Sequence, residues 1–588
     1  MRGLACLLPL VVLAGGADGQ LVPSGSPVPV TTLPPVVFVN GYQFEGCPTT
    51  FAGTFGIADQ VLQSNGEVSL FFNTCSLPST ATIEDLGAAL GTFLSGLTYT
   101  NGQPVQTVDV VAHSMGGLVL RAYLSGKQDT ASTFQPPAAV NVRKAVFLAT
   151  PHFGTPIASL LPLITQVEEM ASGSAFLFDL DTWNDGTDDL RGVDAIAAVG
   201  NAGTGLLTGT AGFDDGVVPL TSGSLRFYGP GRTRVLPYCH ISGGGLVSDV
   251  GLCPADAQGI ADIDSATHES AQIIVSFLNG TTAWQSVGTA AESDPFLSVD
   301  GGLIVAAHAA DDSMLNIDSA TANSAKLDTS SDNLAYTDMI SAGAISLAVT
   351  SGMTDISATV SLPAGGTEPY LVKPGPAIAR VFSAAAANFP LELAPRELIS
   401  IYGTDLASGP TTVLANGASI TTDYVSATQI NAVLPPTLSG IVQLTVLNAD
   451  GQSSVNLLMG AAAPAVFTQD SSGSGAASAL KASDQSLVTS ANPLSVGDTV
   501  ELFVTGLGVT SSSNGMEVAV QQPMVTVGGV NCPVTFAGAA PGFTGLDQIN
   551  CTIPSGMLIS DPANNSVPVV IASDSRISNT ATLAIASD

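Results

Sequence analysis

The stretch VDVVAHSMGGLVLRAYL, residues 108–124, decides how this chain is read. A β-branched run through Val108, Val110 and Val111 halts at Ala112-His113-Ser114-Met115-Gly116. A helical apolar pattern through Leu118, Val119 and Tyr123 takes over at once. Strand, sharp turn and helix form the context in which a serine is lifted above a sheet on a strained backbone, as a nucleophile elbow requires. The turn needs small residues two before and two after the serine, and Ala112 and Gly116 fill those places, with alanine where glycine is more usual.

Outward from this point, short apolar runs alternate with helical patterns between Val36 and about Leu278. Val36–Asn40, Val108–Ala112, Lys144–Thr150 and Val193–Val199 read as buried parallel strands, with helices over Ile83–Leu97 and Leu118–Leu124. From about Thr281 the character changes to alternating apolar residues with Gly, Ser and Thr turns every eight to twelve residues, the pattern of immunoglobulin-like sandwiches. The expected division is a signal peptide over 1–19, a Pro-rich leader over 20–35, an α/β domain over 36–285, and β-sandwiches over 286–374, 375–465 and 466–588. The last two repeat one another: ELISIYGTDLA (397–407) matches TVELFVTGLGV (499–509), and YVSATQINAVLP (424–435) matches FTGLDQINCTIP (543–554). Gln429, Asn431, Gln548 and Asn550 are expected to satisfy strand and turn hydrogen bonds rather than bind a ligand.

Composition bounds the partners. Arg2, the apolar run Leu4–Ala14 and the small residues Ala17 and Gly19 predict export, and no later run is long enough for a membrane helix. Without Cys6 of the signal, six cysteines remain, an even set suited to disulfides in an oxidising compartment. Their three local couples favour Cys47–Cys75, Cys239–Cys253 and Cys532–Cys551, and no Cys/His spacing suits a metal. With 48 acidic and 15 basic residues among 588, the formal net charge of −33 repels nucleic acid and anionic bilayers.

Several segments of the α/β half resemble the α/β-hydrolase family of triacylglycerol lipases and esterases, over about residues 36–280. The elbow A-H-S-M-G-G, the strand end FVNGYQFEG, ATPHFGTP and GFDDGVVPLTSGS occur in the family's order. The resemblance implies an α/β-hydrolase fold and acyl transfer through Ser114. The oxyanion would be held by the backbone N–H groups of Tyr42 and Met115, with Asn40 where the family usually has His. The family's acid follows the seventh strand, which implies Asp215, with Asp214 its neighbour, and its histidine follows the eighth.

Two histidines stay open for that last role. His240 ends the apolar strand RTRVLPYCH some 25 residues after Asp215, and His268 opens the amphipathic segment ESAQIIVSFLNG. The half-cystine beside His240 is expected to stiffen it, so the reading favours His268. His113 is assigned to the elbow and His152 to structure. No cofactor or metal is required, and the acidic run around Asp262 and Asp264 reads as hydrated loop or as a structural calcium site of the kind some lipases carry. Leu160, Leu161, Leu163 and Phe176 lie in an apolar insertion where the family carries a cap, as cap or as ordinary packed helices. Every motif with chemistry precedes Gly280, so a chain ending there is expected to fold and hydrolyse esters by itself.

The tail motifs APRELISIYGTDLA, SATQINAVLP, AAPAVF and FAGAAPGFTGLDQIN resemble a tandem C-terminal module of secreted acidobacterial proteins, which implies an exported β-sandwich accessory region. The expected function is thus a secreted carboxylic ester hydrolase acting on an ester or lipid, with surface or polymer contact through the tail. A non-catalytic surface or adhesion protein with a hydrolase-like domain and an acyltransferase on the same scaffold are the alternatives.

Overall fold

A computed structural model describes residues 21–42, 50–78, 80–160, 164–183, 190–225, 231–243, 250–310, 313–352, 354–386, 392–557, 566–574 and 576–586. The expected signal peptide lies outside them.

The first half is built on one sheet. β1 (Val36–Val39), β2 (Ser69–Phe72), β3 (Val108–His113), β4 (Val142–Leu148), β5 (Asp194–Gly200), β6 (Thr233–Leu236) and β7 (Thr289–Ala290) lie in the order 2-1-3-4-5-6-7. Six strands are parallel and β7 runs antiparallel to β6. Strands buried on both faces should be mainly apolar rather than alternating, and VVFV of β1 and VDVVAH of β3, apolar but for Asp109 and His113, are buried at every position. Successive residues serve opposite faces. Val37, Val39, Val110 and Ala112 join the helices Ile83–Ser95 and Met115–Ser125 in one core, while Val36, Phe38, Val111 and Ile196 join the helix Glu269–Leu278 in the other. The Ile83–Ser95 helix starts at a capping box between Thr82 and Asp85.

The chain passes from β1 outward to β2, then back across β1 to β3. Loops leaving the carboxyl ends of β1 and β3 therefore part in opposite directions, which opens a crevice at that end of the sheet. The elbow follows β3, and Gly41 and Tyr42 follow β1.

The sheet runs past the expected boundary at 285. Arg234 donates from Nε to the Val287 carbonyl at 2.7 Å and from a terminal nitrogen to the Gly288 carbonyl at 2.9 Å, drawing β7 onto the edge. Ala291 and Leu297 then pack with Val199, Phe213, Leu220 and Val235. The leader is part of the body too: Val22 and Val28 are buried, and their N–H groups donate to Ser69 and Thr98.

Three sandwiches follow, the first built over Asp300–Val372 from β8 (Asp300–Ala307), β9 (Ser319–Ala322), β10 (Ala325–Lys326), β11 (Asp328–Thr329), β12 (Ala335–Ser341), β13 (Gly343–Ser351), β14 (Thr354–Leu362) and β15 (Thr367–Val372), in sheets ordered β10-β9-β13-β14 and β11-β12-β8-β15. The second is built over Ala377–Met459 from β16 (Ala377–Ser383), β17 (Leu398–Thr404), β18 (Thr412–Ala415), β19 (Ala418–Ser419), β20 (Thr421–Val425), β21 (Gln429–Val433), β22 (Gly440–Asn448) and β23 (Gly451–Met459), in sheets ordered β16-β17-β21-β20 and β19-β18-β22-β23. The third runs from β24 (Ala465–Val466) to β35 (Ala581–Ala584). The sequence repeat is a structural repeat, since β17 (Leu398–Thr404) pairs with β21 (Gln429–Val433) as β26 (Thr499–Thr505) pairs with β32 (Asp547–Thr552). In both, glutamine donates to the asparagine two residues on, Gln429 to Asn431 at 2.9 Å and Gln548 to Asn550 at 2.7 Å.

The first sandwich rests on the α/β half. Phe153 packs with Ile304, Ala306 and Leu334, Asp332 accepts from the Ala175 N–H at 2.7 Å, and Thr221 donates to the Asp338 carbonyl at 2.6 Å. Cys239–Cys253 and Cys532–Cys551 are bonded as expected, while Cys47 of the third couple lies outside the described residues. Among the described residues no helix is long and apolar enough to cross a membrane.

Candidate active site

Ser114 has φ 56° and ψ −132°, the strained conformation expected of an elbow, and Met115 opens the following helix. Close approach explains the glycines around it. A Cβ on Gly41 would lie 2.5 Å from the Ser114 Cβ, and one on Gly116 would lie 2.4 Å from the Val39 carbonyl oxygen. The Asn-Gly pair is thus a site where two backbones meet, with β1 held in parallel pairing on both sides.

Asn40 stands where the resemblance expects histidine. It is fully buried and its Oδ1 accepts from the Thr74 N–H at 2.8 Å and the Thr74 hydroxyl at 3.1 Å. The amide thereby ties the loop after β1 to the loop after β2, and Gly41 of the first of these loops lies against the serine. Thr74 is the member of this arrangement that sequence reading missed, since nothing in its local sequence marks it.

Asp215 lies in a turn after β5, where its Oδ1 accepts from the N–H groups of Val217 at 2.9 Å and Val218 at 2.7 Å. Its Oδ2 stays free of the turn and faces His240 Nδ1 at 2.9 Å. Asp214 points elsewhere, accepting from the Gly216 N–H and the Thr208 hydroxyl, with its carboxyl raised above the usual range by burial.

The histidine that joins them is His240. Its Nε2 lies 2.9 Å from Ser114 Oγ, and its N–H donates to the Asp215 carbonyl at 2.8 Å. His268, the residue favoured from sequence, caps the helix Glu269–Leu278 through a bond from the Ser270 N–H to its Nδ1 and stacks on Tyr238 with ring centroids 4.4 Å apart. The expectation failed on rigidity. The Cys239–Cys253 bridge stiffens the backbone beside His240, yet a fixed backbone suits an imidazole that must meet two fixed partners. Asp215 and His240 follow β5 and β6, fewer strands than the seven and eight of the family count.

His152 is fully buried against Phe147, and burial holds its imidazole well below its ordinary range. Its carbonyl accepts from Arg121, which also pairs with Asp181 at 2.8 Å. Of the apolar insertion, Phe176 belongs to the core with Leu177 and Leu180, as an ordinary packed helix would. Leu161 and Leu163 lie outside the described residues, as does the side chain of Leu160. Asp262 accepts from Ser242 and Asp264 from Gln258.

Ser114, His240 and Asp215 are 9%, 6% and 1% exposed, so the chain of two hydrogen bonds between them runs largely out of water. Chemically this arrangement can remove a proton from a serine hydroxyl and hold the resulting imidazolium against a carboxylate.

Residues 389–459 match the IPT/TIG domain model. This segment is most of the second sandwich. No curated protein matches the chain. Among solved structures, the phospholipase PlaB from Legionella pneumophila is 14% identical, with 58% of this chain and 93% of that one covered and a TM-score of 0.43. The Bacillus licheniformis lipase BlEst2 in mature form is 21% identical over 37% of this chain and 89% of that one, with a TM-score of 0.27. A Bacteroides ovatus surface protein, SGBP-B in complex with a mixed-linkage heptasaccharide, is 16% identical over 48% and 65%, with a TM-score of 0.21. The assignment of the first half to an α/β-hydrolase architecture rests on the sheet order and the elbow described above.

Proposed function

We propose that this protein is a secreted serine carboxylic ester hydrolase, of lipase or esterase type, that works through Ser114, His240 and Asp215. The observation that carries the reading is the continuous link from the strained Ser114, at 2.9 Å, through His240 and, at 2.9 Å again, to Asp215. Ser114 attacks the ester carbonyl while His240 Nε2 takes the hydroxyl proton. Asp215, itself held by two N–H groups, keeps the imidazole in the tautomer that accepts at Nε2 and stabilises the imidazolium. The oxyanion of the tetrahedral intermediate is held by the N–H groups of Tyr42 and Met115, the latter at a helix start where N–H groups lack intrahelical acceptors. The imidazolium returns its proton to the departing alcohol, and water repeats the cycle on the acyl-enzyme.

Export is part of the proposal, supported by the two disulfides and the N-terminal sequence pattern. The three sandwiches are proposed likewise to be separate modules of a tail that contacts a surface or polymer. The test is hydrolysis of p-nitrophenyl esters together with fluorophosphonate labelling mapped by peptide mass. Label on Ser114 and loss of both signals in Ser114→Ala are expected. A folded parent protein that neither hydrolyses nor labels at Ser114 would leave the non-catalytic surface-protein reading in its place.

A further inference from the structure

We propose that His113, the residue before the serine, is a positioning residue that fixes His240 between Ser114 and Asp215; this rests on the hydrolase reading above. The side chain of His113 reaches across the site, where its Nε2 lies 3.1 Å from the His240 carbonyl oxygen. A carbonyl accepts only, so Nε2 carries the proton and donates. The two rings lie 4.9 Å apart between centroids, inclined at 41°.

The backbone of His240 is thus gripped at both polar groups by members of the site. Its N–H donates to the Asp215 carbonyl and its carbonyl accepts from His113, while Cys239 on one side is tied to Cys253. The strand that delivers the serine, β3, therefore also sets the height of the imidazole that must meet it. A serine and a histidine 126 positions apart keep their 2.9 Å contact because the last residue of β3 holds the histidine and the next residue is the serine.

The state of His113 suits this part. It is almost wholly buried, and burial with the neighbouring His240 pushes its pKa down to about 3, so it stays neutral when His240 takes up a proton. A charged donor there would oppose the imidazolium formed in each half-reaction, whereas a neutral one anchors the loop without that repulsion.

The experiment compares His113→Phe and His113→Leu, which lose the donor, with His113→Gln, which keeps an N–H at similar reach. Melting temperature identifies the variants that fold. In any folded donorless variant, kcat on a soluble ester is expected to fall about tenfold to a hundredfold with KM nearly unchanged, as displacement of a reacting group produces. His113→Gln is expected to recover most of the rate. The downfield NMR signal of the His240 Nδ1 proton, assigned by its loss in His240→Ala, is expected to shift or broaden in the donorless variants and return in His113→Gln. A donorless variant within twofold of the parent in kcat with an unmoved proton signal would overturn the inference, as would His113→Gln no better than His113→Phe. If the parent itself proves inactive and unlabelled, the hydrolase reading falls, and the proton signal alone still decides whether His113 positions His240.

Discussion

Ending the chain at Gly280 is expected to destroy the α/β half rather than liberate it. Such a truncation removes Trp284, 6% exposed and edge-on to Phe277 at 5.7 Å, and Leu297, 1% exposed among Phe213, Leu220 and Val235. Burying side chains of this size stabilises by about 2 to 3 kcal/mol each. It also strips the Val287 and Gly288 carbonyls from Arg234, which is only 5% exposed, and each lost bond to a buried charge costs about 1.5 kcal/mol. The sum, about 8 kcal/mol, is comparable with the whole stability of a typical domain, about 5 to 15 kcal/mol. Chains ending at Gly280, Ala342 and Lys373 would be compared by soluble yield, cooperative thermal unfolding and p-nitrophenyl butyrate hydrolysis. The chain ending at Lys373, which keeps the first sandwich, should melt cooperatively and hydrolyse. The chain ending at Gly280 should be insoluble, or should melt more than about 15 °C lower. The chain ending at Ala342 keeps β7 and Leu297 but only part of the sandwich, and should fall between. A Gly280 chain that melts within about 4 °C of the Lys373 chain would refute the reasoning.

Four further outcomes are expected. His240→Ala should abolish ester hydrolysis, whereas His268→Ala should retain turnover and lose about 1 kcal/mol of stability through the lost helix cap, read by activity and denaturant unfolding; an inactive His268→Ala with an intact fold would reverse the assignment. Asp215→Asn should lower kcat by about 10⁴ through the wrong imidazole tautomer, while Asp214→Asn should keep catalysis within about tenfold, measured by steady-state kinetics. Removing the Cys239–Cys253 bridge by a double alanine substitution opens a loop of 14 residues and should cost about 3 kcal/mol, with kcat falling before global unfolding on a denaturant series. Glu397 is fully buried, and burial pushes its carboxyl up to about 8, so the folded chain holds a proton that the unfolded chain releases above about 4.5; its contribution is therefore complete below that pH and lost as pH rises through 8, by up to about 1.4 kcal/mol per pH unit, and Glu397→Gln should flatten this slope in melting curves taken from pH 5 to 9.

Features whose signals are local can be read from the order of residues. The elbow at Ser114 declared itself because a strained turn between a β-branched run and a helical run admits only small neighbours, and Ala112 and Gly116 are such neighbours. The turn carrying Asp215, the couples Cys239–Cys253 and Cys532–Cys551, 14 and 19 residues apart, and the repeat shared by the last two sandwiches were legible because each signal is carried by a short motif or by near neighbours along the chain. Tertiary structure alone decided what depended on distance across the sheet. His240 and His268 both follow Asp215, one ending an apolar strand and the other opening an amphipathic helix, and no local feature says which imidazole reaches Ser114. The choice is made by the register of β6 beside β5, which brings the His240 N–H onto the Asp215 carbonyl at 2.8 Å, while the helix Glu269–Leu278 packs on the other core and takes His268 as its cap. β7 escaped notice because two residues carry no periodicity, and it is a strand only because the Arg234 guanidinium and the edge of β6 supply partners for its backbone and flank. Local chemistry is written in neighbouring residues, but the meeting of residues 126 positions apart is set by the packing of the strands and loops that carry them.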